Sequence, residues 1–385
     1  MKFRTVDIMP PPILKLTEAA KRFVASPDFL DLSQGLPGHI PPDEPLAAVR
    51  GLMSHPSTHL YTPNQGLLEL REALALYLRQ NFGFDINPMD ELVITADAKN
   101  AFAGTIMTLL EPKENIIMLT PYHFKSAMAI HLAGGKVKEV PCTPSFQIDV
   151  DRIAKAIDKD TRGIVLVSPN DPTGAVYDRD AVEQVVDICL EHDLALISDE
   201  TYSRMVFDGF SHHSPRLRRD ATENIIALGS FSKDFGMSGW RVGYVIGPKL
   251  FVDEFLKVQD TISICASTAG QLLALEILKN GLDAVELELE RLNLLRELAY
   301  LRIREIDQLI ATRTSGTFYI FPKVKGCKNS RALAMDILQS TGTLVLPGTI
   351  FGAAGEGHIR ISIGPLTPEA VDEAFDRLGR YFGNA

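Results

Sequence analysis

Short apolar runs alternate with helical patterns through the middle of the chain. Seven runs predict strands, at 92–95, 115–119, 136–140, 163–167, 194–198, 224–228 and 241–246. Apolar residues recur at helical spacing in 67–80, and the stretches 100–110 and 180–191 predict helices between strands. Because apolar strands separated by helices are typical of a parallel sheet covered on both faces, the pattern predicts an α/β fold with a mostly parallel sheet.

The last third of the chain has a different pattern. Residues 268–312 predict one long helix, whose charged run 285–305 forms a solvated face. Beyond it, predicted strands at 318–321 and 358–363 mix with predicted helices at 330–340 and 368–382. We therefore expect a large domain over 46–285 and a smaller α+β domain over 286–385, against which a proline-rich N-terminal segment, 1–45, packs.

Composition narrows the class of protein. The 385 residues suffice for two domains, and 45% hydrophobic and 23% charged residues are ordinary for a globular protein. A net charge of −10 argues against nucleic acid or an anionic membrane as partner. No apolar run approaches the ~18–20 residues of a membrane span, and the first residues lack the apolar core of a signal peptide.

The cysteines and histidines add little chemistry. Four cysteines lie scattered without CxxC spacing, which is typical of reduced thiols in a cytoplasmic protein. His212 and His213 are the only adjacent histidines and fall in a polar loop, so we expect no metal site there.

Lys233 is the most informative residue. It lies in Ser-Phe-Ser-Lys-Asp-Phe-Gly-Met-Ser-Gly-Trp-Arg, at 230–241, between two predicted strands. Its amine can form a Schiff base with an aldehyde, whereas Ser230, Ser232 and Arg241 are suited to a phosphate dianion, since arginine donates two parallel charge-assisted hydrogen bonds. An aldehyde and a phosphate on one molecule indicate pyridoxal 5′-phosphate (PLP) bound at strand ends.

A second polar group follows the strand predicted at 194–198. Asp199, if buried, can pair with the pyridine nitrogen of PLP and keep it protonated, and Tyr202 can donate to the phenolate oxygen of the ring. The lysine motif resembles that of the class I/II (fold-type I) aminotransferases, with an aspartate-aminotransferase-like order of motifs from Gly35 to Arg360. This family carries an Asp and a Tyr at positions matching Asp199 and Tyr202.

The resemblance extends to the phosphate group. It assigns Ala98, Lys99 and Asn100, at the start of a predicted helix, to the phosphate site, where free amides favour an anion. Lys99 stands where the family usually has a small or neutral residue. Its side chain can either add positive charge to the phosphate site or point outward. Tyr61, in Tyr-Thr-Pro-Asn-Gln-Gly, matches a tyrosine that reaches the cofactor phosphate of the neighbouring subunit, which implies a homodimer with shared sites; the alternative is a packing residue.

The resemblance also implies a substrate site. Arg360, in His-Ile-Arg-Ile-Ser, matches the arginine that binds the substrate α-carboxylate, and Gly35 matches the backbone that approaches the same carboxylate. An arginine inside an apolar strand is costly without an anionic partner, which favours this role over an exposed edge-strand position.

Two positions depart from the family pattern. Asp171, in Ser-Pro-Asn-Asp-Pro-Thr-Gly, stands where an asparagine normally donates to the ring oxygen, and an ionised carboxylate repels that oxygen unless it is protonated or paired. His123 stands where an aromatic residue normally stacks on the ring; imidazole can stack but also titrate, and Tyr122 or Phe124 can take its place.

These features predict a PLP-dependent aminotransferase that exchanges an amino group between an L-amino acid and a 2-keto acid, with Lys233 carrying the cofactor. The alternative is a PLP-dependent lyase, cyclase or oxidase of a biosynthetic pathway. A non-catalytic effector-sensing relative is a further alternative, against which the acidic charge argues.

Overall fold

The computed structural model describes residues 3, 5, 6, 8, 12–26 and 28–383. Parts of the predicted N-terminal segment 1–45 and the last two residues of the predicted domain 286–385 therefore lie outside the described residues. Among those described, no helix is long and apolar enough to cross a membrane.

Helices and strands alternate from residue 68 to residue 199. The helices are α1 (Leu14–Ala20), α2 (Asp43–Leu52), α3 (Leu68–Phe82), α4 (Ala98–Leu109), α5 (Phe124–Ala133), α6 (Val150–Ala156), α7 (Arg179–His192), α8 (Lys249–Ile262), α9 (Thr268–Asn280), α10 (Leu282–Ile303), α11 (Ser330–Thr341) and α12 (Pro368–Phe382). The strands are β1 (Leu30–Asp31), β2 (Leu92–Thr95), β3 (Asn115–Thr120), β4 (Lys136–Pro141), β5 (Thr161–Val167), β6 (Ala195–Asp199), β7 (Ile225–Ser230), β8 (Gly243–Ile246), β9 (Leu309–Ile310), β10 (Tyr319–Ile320), β11 (Lys323–Val324), β12 (Thr343–Leu344), β13 (Leu346–Pro347) and β14 (Ile359–Ser362).

A seven-stranded sheet forms the centre of the molecule. Its strand order is β2-β8-β7-β6-β5-β3-β4. The five strands β3 to β7 run parallel to one another, whereas β8 is antiparallel to both of its neighbours, β2 and β7. The predicted α/β fold with a mostly parallel sheet is confirmed, and its seven strands lie within one or two residues of the predicted ends.

Both faces of this sheet are buried. Along β5, Ile164 and Leu166 pack with the cluster that includes α6 and α7, and Val165 packs with the cluster that includes α4, α5 and α8. Successive side chains of a strand point to opposite faces, so a strand covered on both faces needs apolar residues at every position. This requirement explains the unbroken apolar runs of the sequence.

Three small sheets lie beyond the central one. Their strand orders are β1-β12, β10-β14-β13 and β11-β9. The parallel pairing of Leu30 with Thr343 joins the N-terminal segment to the C-terminal part of the chain. The division into domains at residues 45 and 285 stays a prediction, and α10 crosses the second of these boundaries.

The single helix predicted over 268–312 is wrong. The chain forms α9 and α10, separated at Gly281, and α10 ends at Ile303 ahead of β9. The apolar and charged pattern continues across Gly281, so periodicity alone did not reveal the break, although glycine is a frequent residue at helix ends.

Gly243 fixes the position of α4 relative to the sheet. A Cβ at Gly243 would lie 2.5 Å from the carbonyl carbon of Asp97 and 2.6 Å from the amide nitrogen of Ala98. Strand β8 therefore passes directly beneath the start of α4, and only glycine allows this approach.

Gly243→Ala should lower the free energy of unfolding by about 1–3 kcal/mol, the usual cost of forcing extra atoms into a packed region. Gly51→Ala is the matched control, because a Cβ there meets no atom within 4 Å and alanine favours a helix over glycine by about 0.5–1 kcal/mol. Chemical denaturation of both variants measures the difference; equal stabilities would contradict the close approach.

Candidate functional site

A cavity of about 390 Å³ opens at the carboxyl ends of the central strands. Twelve of the fourteen residues singled out in the sequence line it: Gly35, Ala98, Lys99, His123, Asp171, Asp199, Tyr202, Ser230, Ser232, Lys233, Arg241 and Arg360. They come from segments spread over most of the chain. The central sheet brings most of them together because its parallel strands end at the same edge, whereas Gly35 follows β1 and Arg360 lies in β14 of the small sheets.

Lys233 lies in the turn between β7 and β8. Its ammonium group donates a hydrogen bond to the carbonyl of Gly35. Burial lowers the pKa of the Lys233 amine to about 8, against the opposing attraction of the Asp171 carboxylate. A substantial fraction of this amine is therefore neutral near physiological pH, which is the form that attacks an aldehyde.

One end of the cavity is built to hold an anion. Helix α4 begins there, and Ser230, Ser232 and Arg241 line the same cavity. Arg241 forms an ion pair with Asp97 and lies 3.5 Å from the Ser232 hydroxyl. Its backbone is left-handed, with φ of 56°, which is uncommon for a residue other than glycine. Local backbone strain of this kind is concentrated at ligand sites.

Asn100 does not reach this cavity. The backbone N–H of Asn100 donates to the Asp97 carboxylate at 2.6 Å, because Asp97 caps the N-terminus of α4. The resemblance assigns Asn100 to the phosphate site, but its backbone N–H already has a hydrogen-bond partner. Lys99, in contrast, lines the cavity although its side chain is largely exposed.

Asp199 and Tyr202 follow β6, as the sequence predicts. One carboxylate oxygen of Asp199 accepts hydrogen bonds from the amide and hydroxyl of Thr201, at 3.1 and 2.6 Å. Burial raises the pKa of the Asp199 carboxyl, so this group gains by pairing with a protonated ring nitrogen. The Tyr202 hydroxyl lies 2.9 Å from that of Tyr319 and 3.4 Å from the Asp171 carboxylate.

Asp171 forms an ion pair with Arg360 inside the cavity. An Arg360 NH group donates to Asp171 at 2.8 Å, and another donates to the carbonyl of Ser33 at 2.6 Å. Burial raises the pKa of the Asp171 carboxyl, but the charge and the hydrogen bond of Arg360 oppose that effect, and the net pKa lies below its ordinary value. Of the two alternatives for Asp171, protonated or paired, the geometry favours the paired carboxylate.

His123 occupies the position of the expected aromatic residue. Its ring stacks on Phe124 with centroids 4.8 Å apart. Burial lowers the pKa of the imidazole despite the nearby Asp171 carboxylate, so the ring is neutral at neutral pH. Tyr122 does not take this place: it is outside the cavity lining, and its hydroxyl donates to Glu139 at 2.6 Å.

Tyr61 lies outside the cavity of its own chain. Its side chain is 78% exposed. The alternative role as a packing residue within the chain therefore finds no support, because packing residues are buried. Its role towards a neighbouring subunit stays a prediction.

The cavity wall also contains residues that the sequence did not single out, among them Tyr319, Asp97 and Lys125. A helix cap signal could have identified Asp97, which stands directly before the first residue of α4. Burial lowers the pKa of the Lys125 ammonium to about 8, and the neighbouring Lys99 adds to this effect. Tyr319 lies in a strand of apolar residues, where no local signal distinguishes it.

The chemistry of this wall fits PLP. A helix N-terminus, two serine hydroxyls and a guanidinium at one end suit a phosphate, and the Lys233 amine suits the aldehyde. Only one oxygen of the Asp199 carboxylate bonds to Thr201. The other oxygen suits a pyridinium nitrogen.

Comparison with known proteins gives a consistent result. Residues 27–378 match the family model described as "Aminotransferase class I and II". The aromatic-amino-acid aminotransferase 2 of Thermococcus litoralis is 33% identical over 360 residues, 92% of this chain and 89% of that relative. The aspartate aminotransferase of Pyrococcus abyssi is 33% identical over 356 residues, 91% of each chain. The structure of the aspartate aminotransferase of Thermus thermophilus with maleate superposes with a TM-score of 0.92, at 31% identity, over 99% of both chains.

Incorporation of PLP should depend on Lys233 and on pH. Because only the neutral amine attacks an aldehyde, the incorporation rate of cofactor-free protein should rise with pH up to about 8 and then level off. Absorbance follows the incorporation, and borohydride reduction followed by peptide mass spectrometry locates the adduct. Lys233→Ala should abolish it, and Lys249→Ala, a change of an exposed lysine in α8, should not. An adduct on another lysine would refute the assignment.

Proposed function

Because the chain belongs to the class I and II aminotransferase family, and is thus a PLP-dependent enzyme that transfers amino groups, we propose that Lys233 is its catalytic residue and carries the cofactor. The observation that carries this assignment is the buried Lys233 amine with its lowered pKa, in the cavity where Asp199, Tyr202 and Arg241 also meet. The substrates proposed are an L-amino acid and a 2-keto acid.

The rest of the wall holds the cofactor. The first amides of α4, at Ala98 and Lys99, the hydroxyls of Ser230 and Ser232, and the Arg241 guanidinium bind the phosphate. Asp199 pairs with the ring nitrogen, Tyr202 donates to the ring oxygen, and His123 stacks on the ring. PLP, when bound, supplies an electron sink that stabilises negative charge on the substrate Cα.

Lys233 moves the proton. With cofactor and substrate bound, its Nζ would take the proton from the substrate Cα and return one to the product. A pKa lowered to about 8 suits both tasks, because the same group must lose and gain a proton near neutral pH.

Arg360 and Gly35 bind the substrate carboxylate. Arg360 is only 3% exposed, and its guanidinium lies 4.5 Å from the centre of the Tyr319 ring and 5.3 Å from that of Phe351. A guanidinium so fixed can present two parallel donors without losing much rotamer entropy. A Cβ at Gly35 would lie 2.5 Å from the Tyr319 hydroxyl, which explains the glycine on this wall.

Two further features complete the proposal. Tyr61, with its exposed side chain, reaches the site of a second copy, so the enzyme is a homodimer with shared sites. The four cysteines are free thiols, which supports a reducing, cytoplasmic compartment.

The products decide between transamination and the alternatives. Single amino acids incubated with the enzyme, with and without 2-oxoglutarate, should give the matching keto acid, detected by mass spectrometry, and a spectral change of the cofactor. Elimination, cyclised or oxygen-dependent products would instead favour the lyase, cyclase or oxidase alternative.

Arg360→Gln should weaken amino acid binding by about 2–4 kcal/mol, the usual cost of removing one partner from a desolvated charge pair. PLP should still bind, because the proposed phosphate site lies at the other end of the cavity. Titration of the cofactor absorbance with amino acids measures the effect. The control is Arg331→Gln, which changes an exposed arginine of α11; an Arg360 variant that titrates like this control would refute the role.

Mixing two inactive variants tests the shared site. Lys233→Ala removes the catalytic amine, and Tyr61→Ala removes the group proposed to reach across the interface. If sites are shared, hybrid dimers contain one site with both defects and one intact site. Activity of the mixture should then exceed that of either parent. A fully active monomer in light scattering, or a mixture that shows no gain, would contradict this arrangement.

A further inference from the structure

Arg360 already has an anionic partner supplied by its own chain. It bonds Asp171 at 2.8 Å, and side chains of both residues are almost fully buried, at 4% and 7% exposed. Asp171 belongs to the loop after β5 and Arg360 to β14, 189 positions apart. This ion pair, which we call the Asp171–Arg360 pair, leaves no net charge at the proposed carboxylate site.

The neighbouring asparagine does not replace Asp171 in this role. The Asn170 side-chain oxygen accepts from the amide and hydroxyl of Thr173, at 3.2 and 2.8 Å, and its amide lies 3.4 Å from the Tyr177 hydroxyl. Asn170 is therefore held within its turn, outside the cavity lining. The group that faces Arg360 is a carboxylate because the residue at position 171 is an aspartate.

An internal counter-ion changes which ligands the site tolerates. In a site with a buried arginine and no carboxylate of its own, a ligand without an anion leaves the arginine unpaired, which is strongly unfavourable. Here Asp171 neutralises Arg360 whether or not a ligand carboxylate is present. A ligand carboxylate, conversely, must share Arg360 with Asp171 and is repelled by it.

We propose that the Asp171–Arg360 pair makes the site accept, besides amino acids, primary amines that carry no carboxylate on the reacting carbon. This inference rests on the proposed function, because it concerns the substrate of the same site. The amine carbon is oxidised to an aldehyde, and the keto carbon of a 2-keto acid is reduced to the amine of an amino acid. Nitrogen passes to the keto acid, the oxygen balance is kept by water, and no other oxidant is required.

The keto acid still finds a donor on Arg360. The Nε group of Arg360 is buried and has no hydrogen-bond partner among the described residues. It can bind the keto acid carboxylate while another edge of the guanidinium stays with Asp171. One site can thus serve a neutral amine in the first half of the reaction and an acid in the second.

The test compares each amino acid with its decarboxylated counterpart. Suitable pairs are norvaline with butylamine, phenylalanine with phenethylamine, lysine with 1,5-diaminopentane and glutamate with 4-aminobutanoate. Single-turnover rates of the PLP-loaded enzyme give the preference for amino acid over amine within each pair. Asp171→Asn should raise this preference at least about tenfold in the pair that reacts best, since it leaves Arg360 dependent on the ligand carboxylate.

A binding measurement gives a second readout that needs no turnover. Calorimetric titration with pentanoate should show at least about tenfold tighter binding to the Asp171→Asn protein than to the natural one, because the internal competitor for Arg360 is gone. Asp253→Asn is the matched control. It removes the same charge from an exposed position of α8 that does not line the cavity, and it should change neither the preference nor the binding.

The outcomes separate this inference from the proposed function. If amino acids react but no amine does, or if Asp171→Asn leaves the preference and the pentanoate affinity unchanged, the inference is overturned and the proposed function stands. If no amino acid and no amine reacts with the natural, PLP-loaded enzyme, both are refuted. Amine turnover together with the shift in Asp171→Asn supports the inference.

Discussion

The geometry of the cavity depends on the buried ion pair between Asp171 and Arg360. It ties the loop after β5 to β14, and through the Ser33 carbonyl it also ties in the N-terminal segment. Neither charge can be removed alone without leaving the other buried and unpaired, at a cost of about 3–5 kcal/mol. Three distant parts of the chain are therefore held in one arrangement around Lys233, and the direction of the Arg360 donors is fixed before any ligand arrives.

Charge is distributed unevenly along the cavity. Lys99 and Lys125 line its wall and form no ion pair among the described residues, whereas Arg241 is paired with Asp97 and Arg360 with Asp171. Burial also pushes two groups of the wall towards their neutral forms: it lowers the pKa of Lys233 and raises that of Asp199. The wall around Lys99 and Lys125 thus attracts a strongly anionic group more than the Asp171–Arg360 pair does, and this difference can orient a bound molecule before specific contacts form.

Most of the sheet and of the cavity could be predicted from short segments of the sequence. Many of the cavity residues directly follow strands, so one segment shows both the strand and the polar residue at its end. The segment around Lys233, and Asp199 after its strand, are of this kind. The pairing of Asp171 with Arg360 could not be predicted, since it joins positions 189 apart and depends on tertiary packing. The hydrogen bond from the backbone amide of Asn100 to Asp97 was not foreseen, because the cap of this helix was not identified, and the break at Gly281 was missed because the periodic pattern continues through it. Tyr319 was missed because an aromatic residue in an apolar strand looks like core.

The pairing of β1 with β12 has a consequence for how the enzyme is made. Ser33 leaves the ribosome early, but its partner Arg360 comes from near the end of the chain, 327 positions later. At roughly 5–20 residues per second, synthesis of that interval takes on the order of 15–65 s. The central sheet can form within this time, whereas β1 waits with an unpaired edge exposed to other chains. Closing so long a loop is slow, so the part of the cavity that joins the N-terminal segment to Arg360 is completed after the central sheet.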